Sequence, residues 1–181
     1  MFTIDTTKTT AAPSRWHVER AGSAVEFEAR TFWGLVPVRG RFDRFNGSYD
    51  VGPDGQTIEL LVDAESVDTG NPTRDIHLRS ADFFDITEHP LVRFTSSTVR
   101  DAGYGLLHVE GLLEAAGTVV PLGFDATVRL LDPGHLEMEM RTTVDHRRFG
   151  MHRGPLRMIR PPATVHVKVR LTEPALTGEE A

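Results

Sequence analysis

Cysteine is absent from the 181 residues, which removes thiol catalysis, thiolate metal sites and disulfides at once. No stretch approaches the roughly 20 apolar residues that a spanning helix needs, so no membrane span is expected. An excess of positive charge is missing as well. Lys and Arg total 20 against 26 Asp and Glu, a formal net charge of −6 that repels phosphate backbones, and no nucleic-acid partner is expected. No Gly-x-Ser-x-Gly elbow surrounds Ser66, Ser96 or Ser97, and no glycine-rich phosphate loop follows a predicted strand. His146 and His152 lie six positions apart with no neighbouring Cys or Glu in a zinc-binding pattern. The reading is therefore of a non-enzyme with no metal and no cofactor. Met1 to Arg15 holds Thr, Ala and Pro with no apolar run behind a basic start, so no secretory leader is expected and a cytoplasmic location is.

What is present is a period of two. Val25, Phe27, Ala29, Thr31 and Trp33 alternate with Glu26, Glu28, Arg30 and Phe32, which puts an apolar row on one face of a strand. The same pattern recurs over Ile58–Ala64, Val120–Leu130, Leu136–Val144 and Val165–Leu171. Further strands are expected at Trp16–Arg20, Val36–Val51 with a bend near Asn46, Leu91–Arg100 and Tyr104–Leu113. Turn signals separate them at Gly22-Ser23, Asn46-Gly47, Pro53-Asp54-Gly55, Asp101-Ala102-Gly103 and Asp132-Pro133-Gly134. Short spacing and tight turns predict an all-β meander closed as a sandwich or a barrel of about eight strands.

Two segments break the rhythm. Asn71-Pro72 reads as an N-cap and first helical residue of one short helix over about 72–81. His146–Pro162, rich in Arg, Gly and Pro, reads as an irregular late loop crossing a barrel end. The chain divides into a flexible tail at 1–13, one domain at 14–173 and a C-terminal tail at 174–181. An eight-strand barrel either fills with side chains or holds one small ligand. Large inward residues (Phe27, Phe42, Phe94, Phe124) mixed with small or flexible ones (Ala29, Ala64, Ala126, Met138, Met140) are compatible with either outcome.

The stretch Ala64-Glu65-Ser66-Val67-Asp68-Thr69-Gly70-Asn71, then Arg74 to Asp85, His89-Pro90, Phe94 and Ser96-Ser97, resembles the YceI-like polyisoprenoid-binding family. Supporting pieces are Trp16-His17-Val18, Val25-Glu26-Phe27, Val38 to Phe42, Phe45-Asn46-Gly47, Gly111-Leu112-Leu113 and Phe149-Gly150-Met151, in family order over about Ser14 to Leu171. The chain departs from many relatives at Gly22, Thr31, His146 and Arg148. The resemblance implies a lipocalin-like antiparallel barrel whose apolar pore takes an isoprenoid chain as carrier, store or sensor. On that reading the tunnel is lined by Phe27, Ala29, Trp33, Phe42, Leu60, Val62, Phe94, Phe124, Ala126, Val128, Met138 and Met140. Its mouth or head-group end is then governed by Arg74, His77, Arg148, His152 and Arg153. At about 0.3 kcal/mol per heavy atom, a chain of roughly 30 to 40 carbons would contribute on the order of 9 to 12 kcal/mol. Two rivals stand beside it: an enzyme using His146 or His152 on a small hydrophobic substrate, and a packed barrel that acts as an interaction module. A homodimer paired through the barrel wall is a further expectation.

Overall fold

A computed structural model describes residues 14–31, 35–153 and 159–174. The alternating segments form ten strands among the described residues. These are β1 (Ser14–Thr31), β2 (Val36–Phe42), β3 (Phe45–Gly52), β4 (Gly55–Asp63), β5 (Val67–Asp68), β6 (Leu91–Gly103), β7 (Leu106–Ala115), β8 (Thr118–Asp132), β9 (His135–Val144) and β10 (Arg160–Thr172); one helix, α1, spans Pro72–Arg79. Neighbours pair in the order β10-β9-β8-β7-β6-β4-β3-β1, and β10 pairs again with β1, so eight antiparallel strands close into a barrel. β1 changes partner along its length, from β3 at Ser14–His17 to β2 at Val25–Thr31. Closure removes the free edges at which an open sheet would invite pairing with another chain.

The fold differs from the sequence expectation at three joints. Gly22-Ser23 is not a turn but a bulge inside one 18-residue strand. Gly22 takes φ +80°, and the Ser23 hydroxyl bridges the break by donating to the Glu19 carbonyl and accepting from the Arg170 N–H. Asn46-Gly47 lies inside β3, paired with Leu61 and Leu60. The bend falls instead at Asp43-Arg44, where the Arg44 N–H donates to Ser66 Oγ at 3.0 Å. β10 begins at Arg160, earlier than alternation indicated, because Arg160 and Thr164 pair with Arg30 and Glu28 of β1 on either side of a register irregularity that takes up the two prolines. The tails at 1–13 and 175–181 lie outside the described residues.

α1 starts where a helix should. Asn71 Oδ1 accepts from the Arg74 N–H at 3.1 Å, and Pro72 occupies the first turn, where its missing N–H has no consequence. The helix stops at Arg79, short of 81, because the Ser80 hydroxyl and N–H both turn back to the His77 carbonyl. Arg79 braces the helix to the chain before β6, donating from Nε to the Glu65 carbonyl and from Nη2 to that of Val67. This orients Leu78, 2% exposed, toward the barrel end.

Two apolar clusters result. One follows the axis and includes Val25, Phe45, Tyr49, Val62, Phe94, Met138, Val167 and Leu171. The other closes the helical end with Ala29, Val67, Leu78, Phe83, Val120, Phe149, Met151 and Ile159.

Candidate functional site

The inward side chains leave the axis partly empty. A cavity of about 200 Å³ runs between the clusters, bordered almost entirely by apolar atoms. That is far more than the roughly 10–15 Å³ one water requires, and genuinely empty cavities are apolar ones. On β10 the cavity is bordered from Ala163 to Leu171. Nine residues at about 3.3 Å each span roughly 26 Å of strand, which a strand tilt of about 35–45° reduces to roughly 20 Å along the axis. The void is thus a slot.

Of the residues expected to line a tunnel, Phe27, Ala29, Phe42, Leu60, Val62, Phe94, Phe124, Met138 and Met140 border this slot. Trp33 lies outside the described residues. Ala126 and Val128 depart from the expectation: both belong to the apolar packing around the axis, but neither borders the void. The β8 row runs past the cavity toward the hairpin with β9 and continues to Leu130, which is exposed.

The mouth residues separate further. Arg74 borders the cavity, but its guanidinium serves the chain, donating to Thr69 Oγ1 at 2.8 Å and to the Thr69 carbonyl at 2.9 Å. Buried Asp75 accepts from the N–H and hydroxyl of the same threonine. His77 does not border the cavity: one residue before inward Leu78, it lies on another face of α1 and is half-buried. Arg148, His152 and Arg153 are exposed and stand off the cavity, because the short 3-10 turn at His146–Phe149 buries His146 and Phe149 and turns the charges outward.

Sequence reasoning missed an aromatic belt across the helical end. Phe27 meets Phe42 at 5.6 Å between ring centroids, Phe42 meets Phe84 at 5.7 Å, Phe84 meets Phe83 at 5.0 Å, and Phe83 meets His146 at 5.7 Å. The edge-to-face members have the geometry that aromatic quadrupoles favour. Phe83 and Phe84 follow α1 with no strand period, so alternation could not assign them; the adjacent pair of large apolar residues after a helix was the available signal. The sequence presents His146 as a candidate metal ligand or an acid or base, not as a wall of the cavity. Burial pushes its pKa down, opposed by the neighbouring Asp145. Asp145 caps the turn by accepting from the Arg147 N–H at 3.0 Å, and the Arg147 guanidinium holds its carboxyl below the usual range. At the far end Tyr49, buried, donates to Gln56 Oε1 at 2.7 Å, and its phenol is pushed up to about 12 by burial.

An antiparallel eight-strand barrel with an axial apolar slot defines a lipocalin-like class. The YceI-like domain model matches residues 16–172, and the chain belongs to that family. It is 37% identical over 111 residues to a UPF0312 protein of Shewanella baltica (strain OS185), covering 60% of this chain and 58% of that relative. It is 35% identical over 96 residues to a UPF0312 protein of Vibrio cholerae (strain ATCC 39315 / El Tor Inaba N16961), covering 51% of each. The matches thus span little more than half the length of these curated relatives. Among solved structures, Burkholderia cenocepacia BcnA superposes with a TM-score of 0.76 at 19% identity, covering 84% of this chain and 98% of that one. A polyisoprenoid binding domain from Saccharophagus degradans, implicated in plant cell wall breakdown, gives 0.72 at 16% identity, covering 88% and 98%. At these identities the likeness speaks for the fold.

Proposed function

We propose that this protein binds an isoprenoid or similar amphiphilic lipid in its axial slot, as a carrier, store or sensor in the cytoplasm, and performs no chemistry on it. The observation that carries this reading is the void itself: an apolar barrel interior left unfilled over roughly 20 Å. Membership of the family, and a structural neighbour described as a polyisoprenoid binding domain, support the ligand class.

The slot's length sets the scale. An extended chain advances about 3.6 Å per three backbone bonds, so roughly 20 Å corresponds in length to about 16 bonds, or four isoprene units, whereas a volume of about 200 Å³ is filled by roughly half that chain, since an apolar cavity of about 150 Å³ takes one benzene ring; a C20 chain enters only as the surrounding side chains give way. Longer chains must fold back or protrude. About 20 buried carbons contribute some 6 kcal/mol at about 0.3 kcal/mol per atom, binding in the tens of micromolar, short of the strength that a chain of 30 to 40 carbons implied. Full desolvation at about 0.8 kcal/mol per CH₂ sets the upper bound.

The test is extraction of purified protein with organic solvent, mass spectrometry of the extract, and uptake of added C20 prenyl lipid. The expected result is saturable uptake of one chain per barrel. No recovered lipid together with no uptake refutes the proposal. Against the enzyme rival, replacing His146 and His152 together should leave uptake of an apolar chain intact; loss of a turnover activity in that variant would favour the rival.

A further inference from the structure

The polar lining of the slot is confined to a few groups, and one of them is incomplete. His146 is 6% exposed and borders the cavity beside Phe83, and its Nδ1 has no hydrogen-bond partner among the described residues. Beside it Asp145 is committed to Arg147, the Ile159 backbone engages the ring, and Arg74 on the same cavity wall is committed to Thr69, so none of these supplies a partner for Nδ1. Buried polar atoms are nearly always paired, and an orphan requires an explanation. Nδ1 is screened by neighbouring atoms, but rotation about χ2 of a histidine is soft and roughly two-fold, so the ring edge can turn to the void.

We infer that His146 is a head-group contact, selecting lipids that end in an uncharged oxygen, an alcohol or a carbonyl, over lipids that end in a diphosphate. This rests on the barrel binding such lipids at all. Neutral imidazole offers one donor and one acceptor nitrogen, so it pairs with either oxygen type. An anion fares worse. The charged residues bordering the cavity, among those described, are Glu26, Glu59 and Arg74, and the one guanidinium already donates twice to Thr69. A diphosphate drawn into the slot would lose its hydration without a free cation among the described residues to replace it. Arg148 and Arg153 are exposed outside the slot and could hold such a group only in water, where an ion pair contributes little.

Satisfying a buried orphan is expected to shift binding by about tenfold. Competition measured by native mass spectrometry on the full chain uses three C20 probes: geranylgeraniol, geranylgeranyl diphosphate and the hydrocarbon phytane. The wild type should bind the alcohol about tenfold tighter than phytane and tighter than the diphosphate. His146→Phe should bring the alcohol down to the level of phytane while leaving phytane within about twofold. His146→Asn, which keeps an amide near the Nδ1 position, should restore the preference. An unchanged alcohol preference in His146→Phe, or a wild type that favours the diphosphate, overturns the inference. Phytane bound with no preference for the alcohol refutes this inference alone; no binding of any probe refutes the barrel-binding reading and this one with it. Circular dichroism verifies folding, and should His146→Phe fail to fold, His146→Leu provides the apolar arm of the same comparison.

Discussion

Filling the slot from its own wall separates a void kept for a ligand from one that is incidental. Ala29 is 4% exposed, borders the cavity from β1 and pairs across the strand with Val38. An apolar void costs about 24 cal/mol per Å³ against a filled core, so about 200 Å³ costs the ligand-free barrel on the order of 5 kcal/mol. Ala29→Phe adds about six carbons to that space. Each ligand carbon displaced removes about 0.3 kcal/mol, so uptake should weaken by about 2 kcal/mol, or twenty- to thirtyfold. Folding should respond in the opposite direction. Part of the void's cost is recovered, offset by about 1–3 kcal/mol of steric strain where the new ring meets packed neighbours. The ligand-free variant should therefore melt within a few degrees of the wild type or above it, while saturating only at much higher lipid concentration. Differential scanning calorimetry and a lipid-uptake titration measure the two effects on one preparation. A variant that loses several kcal/mol of stability would show that the space is already occupied by protein. One that takes up lipid as the wild type does would place the ligand elsewhere.

Three further outcomes follow from particular contacts. Burial lowers the pKa of His146 from 6.5, so below that value the unfolded chain takes up the proton more readily. The stability this group contributes is complete above about 6.5 and is lost as pH falls below it; urea denaturation across that range should show the slope, and His146→Phe should reduce it. Asp75→Ala leaves the Thr69 N–H and hydroxyl without their buried carboxylate, and chemical denaturation should show a loss of about 2 kcal/mol; a cost near zero would mean that the carboxylate does not tie α1 to the barrel. Gly40 faces Phe27 across β1 and β2, and a Cβ there would lie 2.4 Å from Phe27 Cζ and 2.9 Å from Thr69 Cγ2. Gly40→Ala should push the Phe27 ring toward the slot and weaken lipid uptake severalfold with about 1–3 kcal/mol of lost stability; unchanged uptake would show that the ring moves outward.

Much of the architecture was legible because a strand's side chains alternate strictly. Val165, Val167, Val169 and Leu171 could be placed on one face from spacing alone, and all four border the slot. The same rule failed where alternation outlasts the enclosed volume. Ala126, Val128 and Leu130 continue the row of Leu122 and Phe124, yet only the earlier pair borders the void. Turn chemistry was similarly double-valued. Asn46-Gly47 can form a hairpin turn, but the cross-strand partners Leu61 and Leu60 keep it within the ladder. Arg148, His152 and Arg153 stand out in the sequence by charge, whereas the residues that meet the cavity from that segment, among those described, are His146, Phe149, Met151 and Ile159, the first two held inward by the turn that exposes their neighbours.

The strand pattern and the capped short helix were decided by residue order, because each depends on neighbours within a few positions. Pairing of β10 with β1, the aromatic belt from Phe27 to His146, and the empty axis were decided only in three dimensions. An unfilled volume is the difference between the space a closed sheet encloses and the side chains it admits, and strand count, tilt and register set that space together. No single segment of the chain carries that difference.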